Sequence, residues 1–221
     1  ICEFNELITK TLRSAYNNTF SLPCVSIQSF PNSFASVADT TFQWTLTANF
    51  ANARGILFVF RSSTNQAYNL YSLSSRTSCG LKDVSLNIGG WQYPSNKIIA
   101  WDSNKPRLTG VNFPLLFMET MKYFGQTIDH NVNMSIDFEK YYTYGDVQAE
   151  NDGCFALGYS FEGISENDDE FRTCISLSNG TPIVLSLNTG DYVSATTTVT
   201  AFILYEYDVI VQDGIAFVVN K

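Results

Sequence analysis

Histidine is nearly absent from this chain, and charge of either sign is scarce. A single histidine, His130, stands among 221 residues, which excludes any site built on two imidazoles. Zinc sites draw three or four ligands from His, Cys and carboxylate at clustered spacing, and no such cluster is present. His130 runs into Asn131, Val132 and Asn133 and reads as a solvated loop residue. Charged residues make up 15% of the chain, against roughly 25% in an average soluble domain. A surface so poor in charge suits packing against neighbours better than standing alone in water. The charge that exists is mostly acidic. With a net charge of −8 and a pI near 4.5, the chain repels phosphate backbones, so direct nucleic-acid binding is not expected.

Other absences narrow the field further. No apolar run approaches the length of a bilayer-spanning helix, and no signal-peptide pattern opens the chain. It begins with Ile1 rather than Met, which reads as a processed chain, a piece of a larger one, or an engineered sequence. Cys2, Cys24, Cys79, Cys154 and Cys174 are widely spaced without a C-x-x-C pair, and free buried thiols are expected. Three glycosylation sequons, at Asn17, Asn133 and Asn179, are what chance gives in a chain rich in Asn, Ser and Thr. No glycine-rich phosphate loop, nucleophile elbow or zinc-protease helix occurs.

Two acidic groups remain to be weighed. The run Glu166-Asn167-Asp168-Asp169-Glu170 lacks the spaced ligands and the glycine of a calcium loop and reads as a solvated loop tip. Asp137 and Glu139 share one strand face, but Ile136 and Phe138 opposite them make an ordinary half-exposed strand. No catalytic residue, cofactor-binding residue or metal ligand is assigned, no cofactor is expected, and the chain does not read as an enzyme.

What the chain has in abundance is alternation. Val199, Ala201, Ile203, Tyr205, Tyr207, Val209 and Val211 recur at period two, the mark of a pleated strand with one buried face. Gln212-Asp213-Gly214 supplies a turn, and Ile215, Phe217 and Val219 resume the pattern. Phe42, Trp44, Leu46, Ala48 and Phe50 alternate in the same way. Ile56 to Phe60 is a continuous apolar run, expected to be a strand buried on both faces. Val84, Leu86 and Ile88 lead into Gly89-Gly90, and Trp91 with Tyr93 returns as a second hairpin, both rings being expected in the core. Further strands are expected at Ile136–Tyr142, Cys154–Phe161, Cys174–Leu177 and Ile183–Leu187.

One helix interrupts. It is expected over Phe113–Phe124, with Pro114 in its first turn, Gly125 after its end, and Glu119 paired with Lys122. On the last long strand, Glu206 and Asp208 share a face with Phe202, Leu204 and Ile210. That face is apolar at both ends and acidic in the middle, as if meant for a packed neighbour.

The count of about eight strands with irregular loops predicts an all-β, eight-stranded jelly-roll sandwich with one inserted short helix. Residues 1–30 are expected to form an N-terminal arm or edge strand, where Pro23 and Pro31 sit naturally. Residues 31–221 are expected to form a single jelly-roll domain.

The order of these segments resembles the C-terminal roll of the double jelly-roll major capsid proteins of eukaryotic DNA viruses, the virophage and Polinton-like lineage. The resemblance covers roughly Ser21 to Val219. It rests on Phe42-Gln43-Trp44-Thr45-Leu46, Gly55 to Arg61, Gly80 to Ile88 with Trp91-Gln92-Tyr93-Pro94, and the helix holding Phe117-Met118-Glu119. Cys154 to Gly158 and the closing hairpin complete it. It implies a viral capsid structural protein that self-assembles into capsomers of an icosahedral shell, assembled inside the host cell and located in the virion capsid. Homo-oligomers are implied, a trimeric capsomer first and a pentamer second, together with other capsid proteins as partners. A full member carries two rolls and this chain has room for one, so a single-roll penton or minor capsid protein stays open. A glycan-binding β-sandwich stays open as well, with Trp91, Tyr93 and Trp101 as stacking candidates, as does a processed single-roll capsid subunit of a small RNA virus.

Overall fold

In a computed structural model, the described residues are 19–34, 41–62, 76, 81–99, 113–124, 141, 155–161, 174–189, 197–212 and 215–219. The elements run β1 (Thr19–Phe34), β2 (Thr41–Thr47), β3 (Asn52–Ser62), β4 (Leu81–Ile88), β5 (Trp91–Ile99), α1 (Phe113–Tyr123), β6 (Ala156–Ser160), β7 (Pro182–Thr189), β8 (Thr197–Gln212) and β9 (Ile215–Val219). A short 3₁₀ turn at Ser178–Gly180 precedes β7.

Two antiparallel sheets face one another. The first has the order β1-β8-β3-β6, with β9 added to β8, and the second has the order β2-β7-β4-β5. From β1 to β4 successive strands alternate between the sheets, while β4 with β5 and β8 with β9 pair as hairpins within one sheet. Eight strands wound in this order form a jelly roll, as the strand count predicts.

The core lies between the sheets, where period-two patterns from both converge. Ile56, Phe58 and Phe60 of β3 point inward beside Val199, Ala201 and Ile203 of β8. From the second sheet come Val84, Leu86 and Ile88 of β4 and Ile183, Leu185 and Leu187 of β7. Aromatic edges lock the two layers. Trp44 meets Phe58 at 6.2 Å, and Tyr93 meets Tyr159 at 6.1 Å, both edge to face, the geometry ring quadrupoles favour.

The continuous apolar run in β3 has a physical cause. Its inner face meets the second sheet, and its outer face shares the side of the sheet on which α1 lies, where Val59 and Ala156 are buried. The helix stands where its signals place it, and Lys122 Nζ donates to Glu119 Oε1 at 2.6 Å.

Several expectations change. Trp91 is 82% exposed at the start of β5, because it follows the Gly89-Gly90 turn directly and lies beyond the cover of the opposite sheet. Of the two rings, only Tyr93 packs against the core. The Cys174–Leu177 segment forms only a bridge, Ile175 to Ala53. Of Ile136–Tyr142, only Tyr141 is described, and its backbone is helical. Residue 30 falls inside β1, which pairs with β8 along its whole length. His130, Asp137, Glu139, Trp101, the acidic run 166–170 and the turn residues 213–214 lie outside the described residues.

Candidate interaction surface

A hydroxyl seats the helix on the sheet. Thr120 is fully buried, and its Oγ1 accepts the Gly158 N–H at 3.1 Å. Its single proton is shared between the carbonyls of Leu116 at 2.9 Å and Ala156 at 3.0 Å. The Tyr141 hydroxyl also donates to Ala156 O, at 2.7 Å. Burial pushes the Tyr141 phenol far above its ordinary range, and the Thr120 hydrogen bond offsets only part of that rise. Tyr159, buried beside Glu119 and Tyr93, is raised for the same first reason.

Two glycines make the helix seat possible. A Cβ at Gly158 would stand 2.8 Å from Tyr123 Cβ and 3.0 Å from Thr120 Cα. One at Gly55 would meet the Tyr123 ring and the Tyr159 carbonyl, each at 2.8 Å. The helix therefore buries Leu116, Thr120 and Met121 and turns Leu115 and Met118 outward. Met118 is 58% exposed. Thr120 carries no hydrophobic signal, so periodicity missed it.

The terminal hairpin departs from the sandwich. The core ends on β8 at Tyr205, whose ring stacks on Phe50 with centroids 4.1 Å apart. Beyond it β8 continues between β1 and β9 as a three-stranded ribbon, Pro23 facing Asp208 on one side and Val219 facing Asp208 on the other. No described residue of β9 belongs to the core. Alternation in β9 thus records a strand without a buried face. Leu22, Phe217, Val218 and Val219 all stand exposed there, Val218 at 67%.

The outer face of β8 is partly answered from within the chain. Arg54 Nη1 lies 3.4 Å from Glu206 Oε1, and Asp208 is buried. Beside them Phe202, Leu204 and Ile210 are half-buried, and Val25 and Ile27 of β1 are 48% and 58% exposed. Such contiguous apolar surface marks a contact site more often than it marks free surface.

The other candidate ligand surface is thin. Tyr93 spends its hydroxyl on the Ser160 carbonyl at 2.7 Å, so among the described residues Trp91 has no neighbouring exposed ring with which to stack a sugar. Among the described residues, no group of three His, Cys, Asp or Glu side chains is placed to hold a metal ion. No described helix is long and apolar enough to cross a membrane. Cys24 and Cys174 are half-buried.

No family model matches the chain, and no curated protein matches it in sequence. Solved structures do match in shape. A chain from the cryo-EM structure of the Sputnik virophage aligns with 92% of this chain at TM-score 0.53 and 11% identity. A chain of the PBCV-1 virus capsid aligns with 95% at TM-score 0.53 and 11% identity. The mavirus major capsid protein aligns with 91% at TM-score 0.51 and 7% identity. The chain spans 39%, 54% and 41% of those three chains. The eight interleaved strands, with a helix between β5 and β6, thus have the jelly-roll fold that recurs in the PBCV-1 capsid and the mavirus major capsid protein.

Proposed function

We propose that this chain is a capsid structural protein, one jelly roll that self-assembles with other copies into the capsomers of a viral shell. The observation that carries the reading is the strand order β1-β8-β3-β6 over β2-β7-β4-β5, matched over more than nine-tenths of the chain by virion proteins. The exposed apolar ribbon and helix face support it. Capsid subunits have several neighbours at once, and standard interfaces bury about 800 Å² on each partner, which accounts for a surface low in charge and rich in apolar side chains.

The role is structural and non-enzymatic, and its site of action is the virion. A trimeric capsomer is the favoured assembly and a pentamer the next. The chain covers about half or less of the solved chains it resembles, which fits one roll of a two-roll protein or a single-roll vertex protein. Negative-stain images of the purified protein test the reading. Class averages with three-fold or five-fold symmetry are expected, and a field of single rolls at every concentration would sink it.

A further inference from the structure

We infer that the open edge of β1 is a docking strand for a second copy of this chain, paired antiparallel about a two-fold axis through Ile27. The inference stands on β1 itself and does not rest on the capsid reading.

β1 pairs with β8 in unbroken register from Thr19↔Gln212 to Phe34↔Thr197. Along such a strand, successive residues direct their N–H and C=O groups to opposite edges. The Ser33 N–H donates to Asn32 Oδ1 at 2.8 Å and so points away from β8. Pro23 and Pro31, which have no N–H to give, share its parity and cost the β8 ladder nothing. Val25, Ile27 and Ser29 share it too. Their backbone donors and acceptors therefore face an edge that no described strand covers.

Natural edges are blunted with Lys, Pro, bulges or brevity. Here proline closes both ends and leaves Cys24 to Phe30 open between them, about the length of an ordinary strand. No charged residue occurs from Thr19 to Phe34. The nearest acid on the outer face, Glu206 beside Val25, is held by Arg54. The net charge of −8 therefore does not oppose contact along this strand.

The prolines also choose the partner and the register. Pro23 and Pro31 lie equally far from Ile27 on either side. A two-fold through Ile27 sets Val25 against Ser29 of the second copy, Ile27 against Ile27, and Pro23 against Pro31. Every N–H of the window then finds a carbonyl. A shift of two residues would set Pro31 against Val25 and leave that carbonyl without its donor. Exposed Val25 and Ile27 side chains come together on the outer face, and the two first sheets become one. An edge contact of this kind buries less than the roughly 800 Å² per partner of standard interfaces, so the pair forms reversibly and depends on concentration.

Cross-linking of the full chain tests it. Directly paired residues of this type stand about 5.5 Å apart at Cα, inside the span a disulfide bridges. In a Cys24→Ser background, Ile27→Cys should cross-link to itself on mild oxidation. Val25→Cys and Ser29→Cys should each self-link about tenfold less, yet should link to one another when mixed. Ile27→Pro, which removes an N–H directed away from β8, should keep the fold and lose the dimer in light scattering. Ile27→Cys that links no better than its background, or Ile27→Pro that stays dimeric, would overturn the pairing. Trimers or pentamers without a residue-27 cross-link would overturn it and leave the capsid reading standing. Cross-linked dimers without larger particles would do the reverse.

Discussion

Thr120 of the helix accepts a hydrogen bond from the Gly158 N–H of the neighbouring sheet at 3.1 Å. One hydroxyl thus satisfies a backbone donor that α1 would otherwise bury unpaired, at a cost of about 1–3 kcal/mol. The contact is close because neither Gly158 nor Gly55 carries a Cβ. The helix is therefore an integral third layer, and its outward side chains Leu115 and Met118 are held in fixed position for contact.

Gly158→Ala should push that layer away. The added methyl meets backbone and Cβ atoms at 2.8–3.0 Å, and overpacking of this kind costs about 1–3 kcal/mol. Thermal unfolding should show a midpoint roughly 3–10 °C lower. An unchanged midpoint would mean that the helix does not sit as described.

Tyr205→Asp should remove the last stacking contact of the core on β8 and set a carboxylate against Phe50. Loss of a packed aromatic costs about 3–5 kcal/mol, a large fraction of the about 5–15 kcal/mol that holds an ordinary domain folded. The matched change Phe217→Asp on β9 should cost less than about 0.5 kcal/mol. Denaturant midpoints for the two variants compare the strand's halves directly.

Alkaline pH should destabilise the fold through its buried phenols. Tyr141 and Tyr159 are raised well above the ordinary value of 10.0, chiefly by burial. Above pH 10 the unfolded chain therefore loses protons that the folded chain keeps, and stability falls as pH rises. Each tyrosine contributes at most about 1.4 kcal/mol per pH unit. Denaturation followed from pH 9 to 11 should show this decline, with phenolate absorbance from these two residues appearing only on unfolding.

Trp91→Ala should leave stability within about 0.5 kcal/mol of the parent, because the ring is exposed rather than packed. A loss of 3 kcal/mol or more, of the size a core Trp gives, would return Trp91 to the core.

Much of this fold was legible because burial follows parity on long strands. Leu46 in β2, Ile183 to Leu187 in β7 and Val199 to Ile203 in β8 alternate in sequence and in burial alike. Parity does not say where the opposite sheet ends. For that reason Trp91, one residue past a turn, and Phe217, on a ribbon beyond the core, match the pattern and yet stand exposed. Thr120 was illegible for the opposite cause, since its role depends on a carbonyl and an amide brought to it by β6. The two prolines of β1 were legible as edge residues, but their symmetry about Ile27 has meaning only once the register with β8 is known.

Light scattering of the wild-type protein across a hundredfold range of concentration, alongside Val218→Lys, tests assembly most directly. Oligomers of three or five copies are expected for the wild type, associating further in pairs as concentration rises, and they should weaken when charge enters the exposed ribbon. A wild-type protein that remains a monomer throughout would contradict this.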